Sequence, residues 1–227
     1  MNRVKTLIGD IFESKAQTLV NTANTVGVMG KGLALEFRTR FPDMYEDYLF
    51  RVKHKQFTMG HPYLFKRLVP PWILVFPTKD HWRSVSKLSD IETGLEHLRI
   101  NYRNWGITSL AVPPLGCGLG QLEWEIVGPT LFRHLAEMDI PVELYAPEGT
   151  PLAEITPAFL SRPSEAQLVE AARNGTSGIA PTVADSSLTT ASVAIGADNT
   201  NKGLSVTITP PTSVTVNASG VFLAAEM

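Results

Sequence analysis

Short apolar runs alternate with longer amphipathic segments over the first two thirds of the chain. Runs rich in β-branched and aromatic residues, typical of strands, occur at residues 4–8, 18–21, 62–68, 72–76, 108–112 and 142–145. The run from Trp72 to Phe76 is apolar throughout, as expected of a central strand buried on both faces. The alternation with helical segments predicts an α/β domain whose strands form one sheet.

Two segments have the periodicity of amphipathic helices. The first opens with a predicted capping box, Ser89-Asp90-Ile91-Glu92, and is expected to end at Gly106. The apolar positions of the two helices are Ile91, Leu95, Leu98 and Tyr102 in the first, and Val127, Leu131, Leu135 and Met138 in the second. We interpret both stripes as core-facing, with no role in chemistry.

Two glycine-rich loops each follow a strand pattern and precede a helical pattern. The first lies within residues 20–32 and the second within residues 110–120. Glycine lets backbone N–H groups approach a phosphate closely, and the start of a helix offers free N–H groups and a positive dipole end. We therefore expect two anion-binding helix starts at one edge of the sheet. A tight turn before a helix explains the first loop alone equally well, and its spacing is not that of a Walker loop.

Composition and charge narrow the classes of function. Of the 227 residues, 44% are hydrophobic, and the formal net charge of −2 gives no general attraction to a polyanion. Nucleic-acid contact would have to use local clusters, such as residues 51–55 or Lys79, Arg83 and Lys87. The single cysteine, Cys117, excludes an intramolecular disulfide, and the five histidines lack metal-ligand spacing, so we expect no metal. Without a long apolar run or a signal peptide, the expected location is the cytoplasm, with no membrane contact.

The character of the chain changes after Pro157. We assign residues 156–178 to a short helix followed by a linker, because residues 164–173 have a helical pattern and residues 174–178 are rich in glycine and small polar residues. Residues 179–227 are rich in Ser, Thr, Ala and Val, with β-like runs at 204–209 and 213–216. This segment is interpreted either as a small β module that self-associates or as a disordered tail.

Four motifs, in this order and at these spacings, resemble the macrodomain family, whose members bind ADP-ribose. The motifs are Gly9-Asp10-Ile11, residues 20–24 with residues 28–32, residues 113–120, and Leu144-Tyr145-Ala146-Pro147. The resemblance covers residues 1–155 and implies a three-layer α/β/α fold with a mixed central sheet. Within the family, residues 26–32 and 76–82 are most similar to the macrodomains of DarG-type antitoxins, which remove ADP-ribose from thymidine in DNA.

The resemblance implies a set of substrate-binding residues and no cofactor. The set is Asp10, Ile11, Asn21, Thr22, Asn24, Met29, Gly30, Lys31, Gly32, Thr78, Pro114, Leu115, Gly116, Cys117, Gly118, Leu119, Gly120 and Tyr145. In this interpretation Asp10 binds the adenine amino group, although an Asx turn or a helix cap is an alternative role. Tyr145 either stacks on adenine or packs in the core, and Trp82 either contacts the substrate base or packs. Asn21 and Asn24 orient the distal ribose.

Lys79 is the predicted catalytic residue, because its loop matches the lysine-bearing loop of DarG and of the terminal ADP-ribose protein glycohydrolase. A protonated lysine can donate a proton to the departing thymine, whereas a desolvated, neutral one can attack the anomeric carbon C1″ of the distal ribose. A surface lysine without a role is the plain alternative. The protein-directed enzyme carries an aspartate where this chain has Gly120. DarG shares the glycine, which favours DNA as the substrate.

Three functions are compatible with these residues. The first is a glycohydrolase acting on ADP-ribosylated thymidine in single-stranded DNA, paired with a DarT-type toxin. The second is a non-catalytic reader of ADP-ribose. The third is a structural or interaction protein in which the macrodomain is accessory. Lys79 favours the first, whereas the unfamiliar residues 179–227 keep the third open.

Overall fold

A mixed sheet of six strands forms the centre of the larger of two compact units, which comprise Met1–Ser164 and Glu165–Met227. The computed structural model describes residues 3–163, 192–196, 205–209, 214–217 and 223–225. The six strands are Val4–Leu7 (β1), Thr18–Asn24 (β2), Tyr63–Phe65 (β3), Trp72–Lys79 (β4), Leu110–Val112 (β5) and Val142–Tyr145 (β6). Their order is β1-β6-β5-β2-β4-β3, and all neighbours are parallel except the antiparallel pair β3–β4.

Helices cover both faces of this sheet. They are Gly32–Arg40 (α1), Pro42–Lys53 (α2), Leu88–Trp105 (α3), Trp124–Ala136 (α4) and Pro157–Leu160 (α5). Alternate residues of β4 divide between two cores: Ile73 and Val75 pack with the α1–α2 side, and Leu74 and Phe76 with the α3–α4 side. The predicted three-layer α/β/α fold with a mixed sheet is therefore confirmed.

The predicted core stripes are confirmed, and the predicted helix start is wrong. Every residue of the two stripes is buried, and Gly106 ends α3 in the left-handed conformation at φ 75°. However, α3 begins at Leu88, one residue before the expected cap, and Lys87 precedes it without a side-chain cap. Ser89 therefore lies inside the first turn, where its carbonyl accepts a hydrogen bond from the Thr93 hydroxyl at 2.8 Å.

The strand before the first glycine loop is longer than predicted. We expected the strand to end at Asn21, but β2 continues to Asn24 alongside β4, where Asn24 pairs with Lys79. Conversely, the predicted strand 62–68 is short and consists of Tyr63–Phe65. The extension of β2 matters for the site, because it brings Asn24 beside Lys79 at the end of the sheet, whereas Asn21 lies on the face that packs against α2.

The larger unit continues past the predicted domain boundary at residue 155. Leu160 in α5 is 1% exposed and belongs to the core that contains α4. In the second unit, Ser192–Gly196 (β7), Ser205–Thr209 (β8), Val214–Asn217 (β9) and Leu223–Ala225 (β10) form an antiparallel sheet in the order β10-β9-β8-β7. The β-like runs coincide with β8 and β9, whereas the predicted helix and linker at 164–178 lie outside the described residues. Within the described part of the chain, no helix is long and apolar enough to cross a membrane.

Candidate active site

A cleft of about 810 Å³ lies at the carboxyl ends of β2, β4 and β5, the edge at which α/β folds commonly bind ligands. Both glycine-rich loops and the loop after β4 contribute to its walls. The lining residues are Thr22, Ala23, Asn24, Val28, Gly30, Lys31, Gly32, Leu33, Ala34, Thr78, Lys79, Trp82, Arg83, Ser86, Pro113, Pro114, Gly116, Cys117, Gly118, Leu119, Gly120 and Pro147.

Asn24 shapes the first loop. Its Oδ1 accepts hydrogen bonds from the backbone N–H groups of Val26 and Val28, both at 3.2 Å, and its Nδ2 donates to the Val28 carbonyl at 2.5 Å. The buried Tyr48 hydroxyl supports the loop from α2 by donating to the Asn24 carbonyl at 2.6 Å and accepting from the Gly27 N–H at 3.1 Å. The Asn24 side-chain amide therefore fixes the conformation of the first loop in the ligand-free protein.

The two loops present backbone to the cleft in different ways. At the first loop, Lys31 caps α1 without a side-chain hydrogen bond, and residues 32–34 line the cleft. The start of this helix therefore offers N–H groups that suit an anion. The second helix, α4, begins at Trp124, which lies outside the cleft, so the structure does not provide the expected second anion-binding helix start. The second loop instead forms a 3₁₀ turn over Gly118–Gly120, with Gly116 and Gly118 at φ 79° and 65°, a conformation that favours glycine.

Lys79 is the last residue of β4, and its side chain crosses the cleft. The first loop holds its backbone, because the Thr25 N–H donates to the Lys79 carbonyl at 3.1 Å. Its Nζ donates a hydrogen bond to the Leu119 carbonyl in the second loop. Burial lowers the pKa of Lys79 below that of an ordinary lysine, because desolvation disfavours the ammonium form. The amine thus lies between the two loops with an increased neutral fraction.

The charges that line the cleft are positive. Lys31, Lys79 and Arg83 are present, and among the described lining residues there is no carboxylate and no imidazole. Cys117 is a poor nucleophile, because burial raises the pKa of its thiol to about 11. Within the described residues, no group of His, Cys, Asp and Glu could hold a metal ion. This arrangement suits an anionic ligand, and Lys79 is the amine that reaches from the end of β4 to the second loop.

Most of the predicted site residues line this cleft, and three of them lie beneath it. Asn21 is 0% exposed, and its Nδ2 lies 3.6 Å from the sulfur of the equally buried Met29. Both side chains support the first loop from the core, because Asn21 lies on the face of β2 that packs against Met44 of α2. Leu115 is also fully buried in the core on the other side of the sheet. The structure therefore does not bring Asn21, Met29 or Leu115 to the cleft wall.

Three further predicted substrate-binding residues lie beside β1 and β6, outside the described cleft. The Asp10 carboxylate accepts a hydrogen bond from the Phe12 N–H at 2.9 Å, as in the Asx-turn alternative, and Ile11 is buried. Tyr145 is buried, donates to Glu143 at 3.0 Å and has its pKa raised to about 12 by burial. Contact of Asp10 and Tyr145 with adenine, and of Ile11 with the substrate, stays a prediction.

Other residues of the cleft have no site role in the sequence analysis. Ser86 and Pro147 are two of these, and nothing in the local sequence distinguishes Ser86, since serines also occupy positions 84 and 89.

Trp82 is 46% exposed at the rim of the cleft, where its ring stacks on His81 at 5.4 Å between centroids and the Arg83 guanidinium lies 4.5 Å from its centroid. A flat aromatic ring with an adjacent cation is a suitable surface for a nucleic-acid base.

Comparison with known proteins agrees with the fold and the loops. The family model described as Macro domain matches residues 20–131. A DNA ADP-ribosyl transferase–DNA ADP-ribosyl glycohydrolase fusion protein of Thermosipho africanus is 44% identical over 172 residues, which cover 67% of this chain. The chain spans only 44% of the length of that relative.

Two solved structures are similar to the chain. The Thermosipho africanus DarTG in complex with ADP-ribose has a TM-score of 0.66 and 45% identity, covering 70% of this chain and 46% of that one. The macrodomain of Mycobacterium tuberculosis DarG has a TM-score of 0.62 and 40% identity, covering 64% of this chain and 98% of that one. Since the match includes nearly the whole of a solved macrodomain, the chain belongs to the macrodomain family.

Proposed function

We propose that this protein is a hydrolase that removes ADP-ribose from thymidine bases in single-stranded DNA. The cleft supports an ADP-ribosyl ligand, because its backbone N–H groups and cationic lining suit a diphosphate. Relatives named DNA ADP-ribosyl glycohydrolase, at 36–44% identity, support DNA as the carrier of the modification. The exposed Trp82 at the rim offers a place for a base outside the cleft.

The position of Lys79 is the observation that carries this proposal. Its amine extends into the cleft with a lowered pKa, and no described lining residue is a carboxylate or an imidazole that could activate a water molecule. Glycosidases that use water directly rely on such a base. A mechanism in which lysine itself attacks needs no separate base, so covalent catalysis fits this lining better.

The proposed reaction has two steps. The neutral Lys79 amine forms a bond to the anomeric carbon of the distal ribose while the bond from that carbon to the thymine nitrogen breaks. The electron pair leaves with thymine, which takes up the proton that the amine loses. The resulting glycosylamine opens to an imine as the bond from the anomeric carbon to the ring oxygen breaks and the remaining amine proton moves to that oxygen. Water then adds to the imine carbon, which restores the lysine and gives ADP-ribose, whose ribose ring closes again. The alternative is acid catalysis, in which the ammonium form protonates thymine and water reacts directly with the anomeric carbon.

The modification itself requires a transferase of matching specificity. The Thermosipho africanus relative joins a DNA ADP-ribosyl transferase and a DNA ADP-ribosyl glycohydrolase in one chain. We infer that this protein acts on the product of a DarT-type transferase, so that the two activities form a modification and reversal pair.

A comparison of two substrates tests the proposal. The protein is incubated with an oligonucleotide that carries ADP-ribosylated thymidine and, separately, with an ADP-ribosylated protein, and released ADP-ribose is measured. We expect release from the oligonucleotide at a rate at least tenfold above that from the protein substrate. Binding of ADP-ribose without release from either substrate would instead identify a reader.

A further inference from the structure

The Ser86 side chain is a buried polar group whose hydroxyl has no hydrogen-bond partner. Only 5% of the residue is exposed, and its Oγ is shielded from solvent with no donor or acceptor in reach among the described residues. Buried hydroxyls in native proteins are nearly always hydrogen-bonded, because an unpaired one destabilises the fold. A hydroxyl that stays unpaired beside a binding cleft indicates a partner that comes into reach during function.

Ser86 lies between the second loop and Lys79. Its backbone N–H donates to the Gly120 carbonyl at 2.9 Å, which fixes the loop after β4 against the second loop. A Cβ on residue 120 would lie 2.5 Å from the Ser86 Oγ and 3.9 Å from the Lys79 Cε. The hydroxyl and the lysine therefore border the same small space, which exists because residue 120 has no side chain.

The hydrogen bond to the Leu119 carbonyl does not by itself fix the orientation of the Lys79 amine. A neutral amine has two N–H bonds and one lone pair, so two fixed acceptors determine the direction of the lone pair. The Leu119 carbonyl supplies one acceptor. The Ser86 hydroxyl is an acceptor without a partner next to the same side chain, and a rotation of the lysine side chain is the movement that would join them.

We propose that Ser86 is a positioning residue whose hydroxyl accepts a hydrogen bond from the Lys79 amine in the substrate complex and directs the lone pair at the anomeric carbon. Gly120 leaves the room that this contact needs. The inference rests on the proposed function, because it concerns the same amine. It also explains why the free protein keeps an unpaired hydroxyl: the group is arranged for the reacting state and not for the resting fold.

The test compares Ser86→Ala, Ser86→Thr and the control Ser89→Ala, which removes an exposed hydroxyl on the first turn of α3. Ser86→Ala should melt at or above the wild-type temperature and bind ADP-ribose within threefold of wild type. Its single-turnover rate on the modified oligonucleotide should fall at least tenfold. Ser86→Thr keeps the hydroxyl and should retain a rate within a few-fold of wild type, and Ser89→Ala should change neither rate nor affinity.

Gly120→Ala tests the same space from the other side. A methyl group 2.5 Å from the Ser86 Oγ forces the hydroxyl away, so the rate should fall in the wild-type background. The same substitution should have a smaller effect in a Ser86→Ala background, where no hydroxyl remains to be displaced. Equal effects in the two backgrounds would contradict the contact.

A second measurement separates this inference from the proposed function. The ¹³Cε resonance of Lys79 in the ADP-ribose complex reports its titration whether or not the DNA substrate is hydrolysed. Loss of an acceptor disfavours the ammonium form, so the pKa of Lys79 should be lower in Ser86→Ala than in wild type. An unchanged titration together with a wild-type rate would overturn the positioning role. No release by wild type together with a shifted titration would refute the proposed hydrolysis while supporting the contact.

Discussion

The substitution Gly30→Val should weaken ADP-ribose binding strongly without damaging the fold. Gly30 lines the cleft, and its backbone is not in the left-handed region that restricts side chains. A Cβ there would meet only a Val28 methyl group, at an ordinary 3.8 Å. The larger valine side chain therefore extends into the space in front of the α1 N-terminus, where we place the diphosphate.

The size of the effect follows from the hydrogen bonds that the side chain would block. Losing two charge-assisted bonds from the N–H groups of α1, at roughly 1.5 kcal/mol each, weakens binding by about 3 kcal/mol, or ~100-fold in Kd. Calorimetry with ADP-ribose measures this change, and thermal unfolding should show a nearly unchanged melting temperature. Gly30→Ala should give a smaller loss. Gly149→Val is the control for backbone strain. Gly149 is at φ 81° and lies outside the cleft, so this substitution strains the backbone without contacting the ligand. Wild-type affinity in Gly30→Val would refute the placement of the diphosphate.

Three other changes address the DNA strand, the protonation of the lysine and the second unit. Trp82→Ala should weaken binding of the modified oligonucleotide by about 1–3 kcal/mol, which is the contribution of one stacked base, while the affinity for free ADP-ribose stays within a few-fold of wild type. Equal losses for both ligands would contradict the assignment of Trp82 to the DNA base. Burial lowers the pKa of Lys79, so its amine becomes neutral at lower pH than an exposed lysine. The single-turnover rate should therefore rise with pH, with a midpoint below the pKa of an exposed lysine, whereas a rate that falls with pH would indicate acid catalysis. Deleting residues 175–227 should leave turnover unchanged, because all residues that line the cleft fall between Thr22 and Pro147 in the sequence. A truncated protein that folds but is inactive would show that the second unit completes the site.

The fold could be predicted from the sequence because its signals are local and periodic. The strand run at residues 72–76 and the two helical stripes are fixed by which side chains must be buried, and the structure buries both stripes and residues 73–76. Boundaries were less predictable. Ser89 and Glu92 have the spacing of a capping box, but Leu88 packs against the core and the helix starts one residue earlier than this local signal.

The candidate site could be predicted where its residues are contiguous in the chain. The two glycine loops and Lys79 fall in short motifs, so they were found together and do line one cleft. Ser86 was missed because its role depends on contact with Gly120, 34 positions away in the chain, which only the folded structure reveals. Asn21 was assigned to the ligand because a motif does not show how far β2 extends or which face a side chain takes.

The central claim is that Lys79 performs the chemical step, and the substitution Lys79→Ala tests it most directly. The assay measures release of ADP-ribose from ADP-ribosylated thymidine oligonucleotide under single-turnover conditions, alongside calorimetry with ADP-ribose. We expect affinity within a few-fold of wild type and no detectable release, because our proposal places the amine at the distal ribose and not at the diphosphate. Borohydride should trap a covalent adduct at Lys79 in the wild-type protein. Full release by Lys79→Ala would contradict the account.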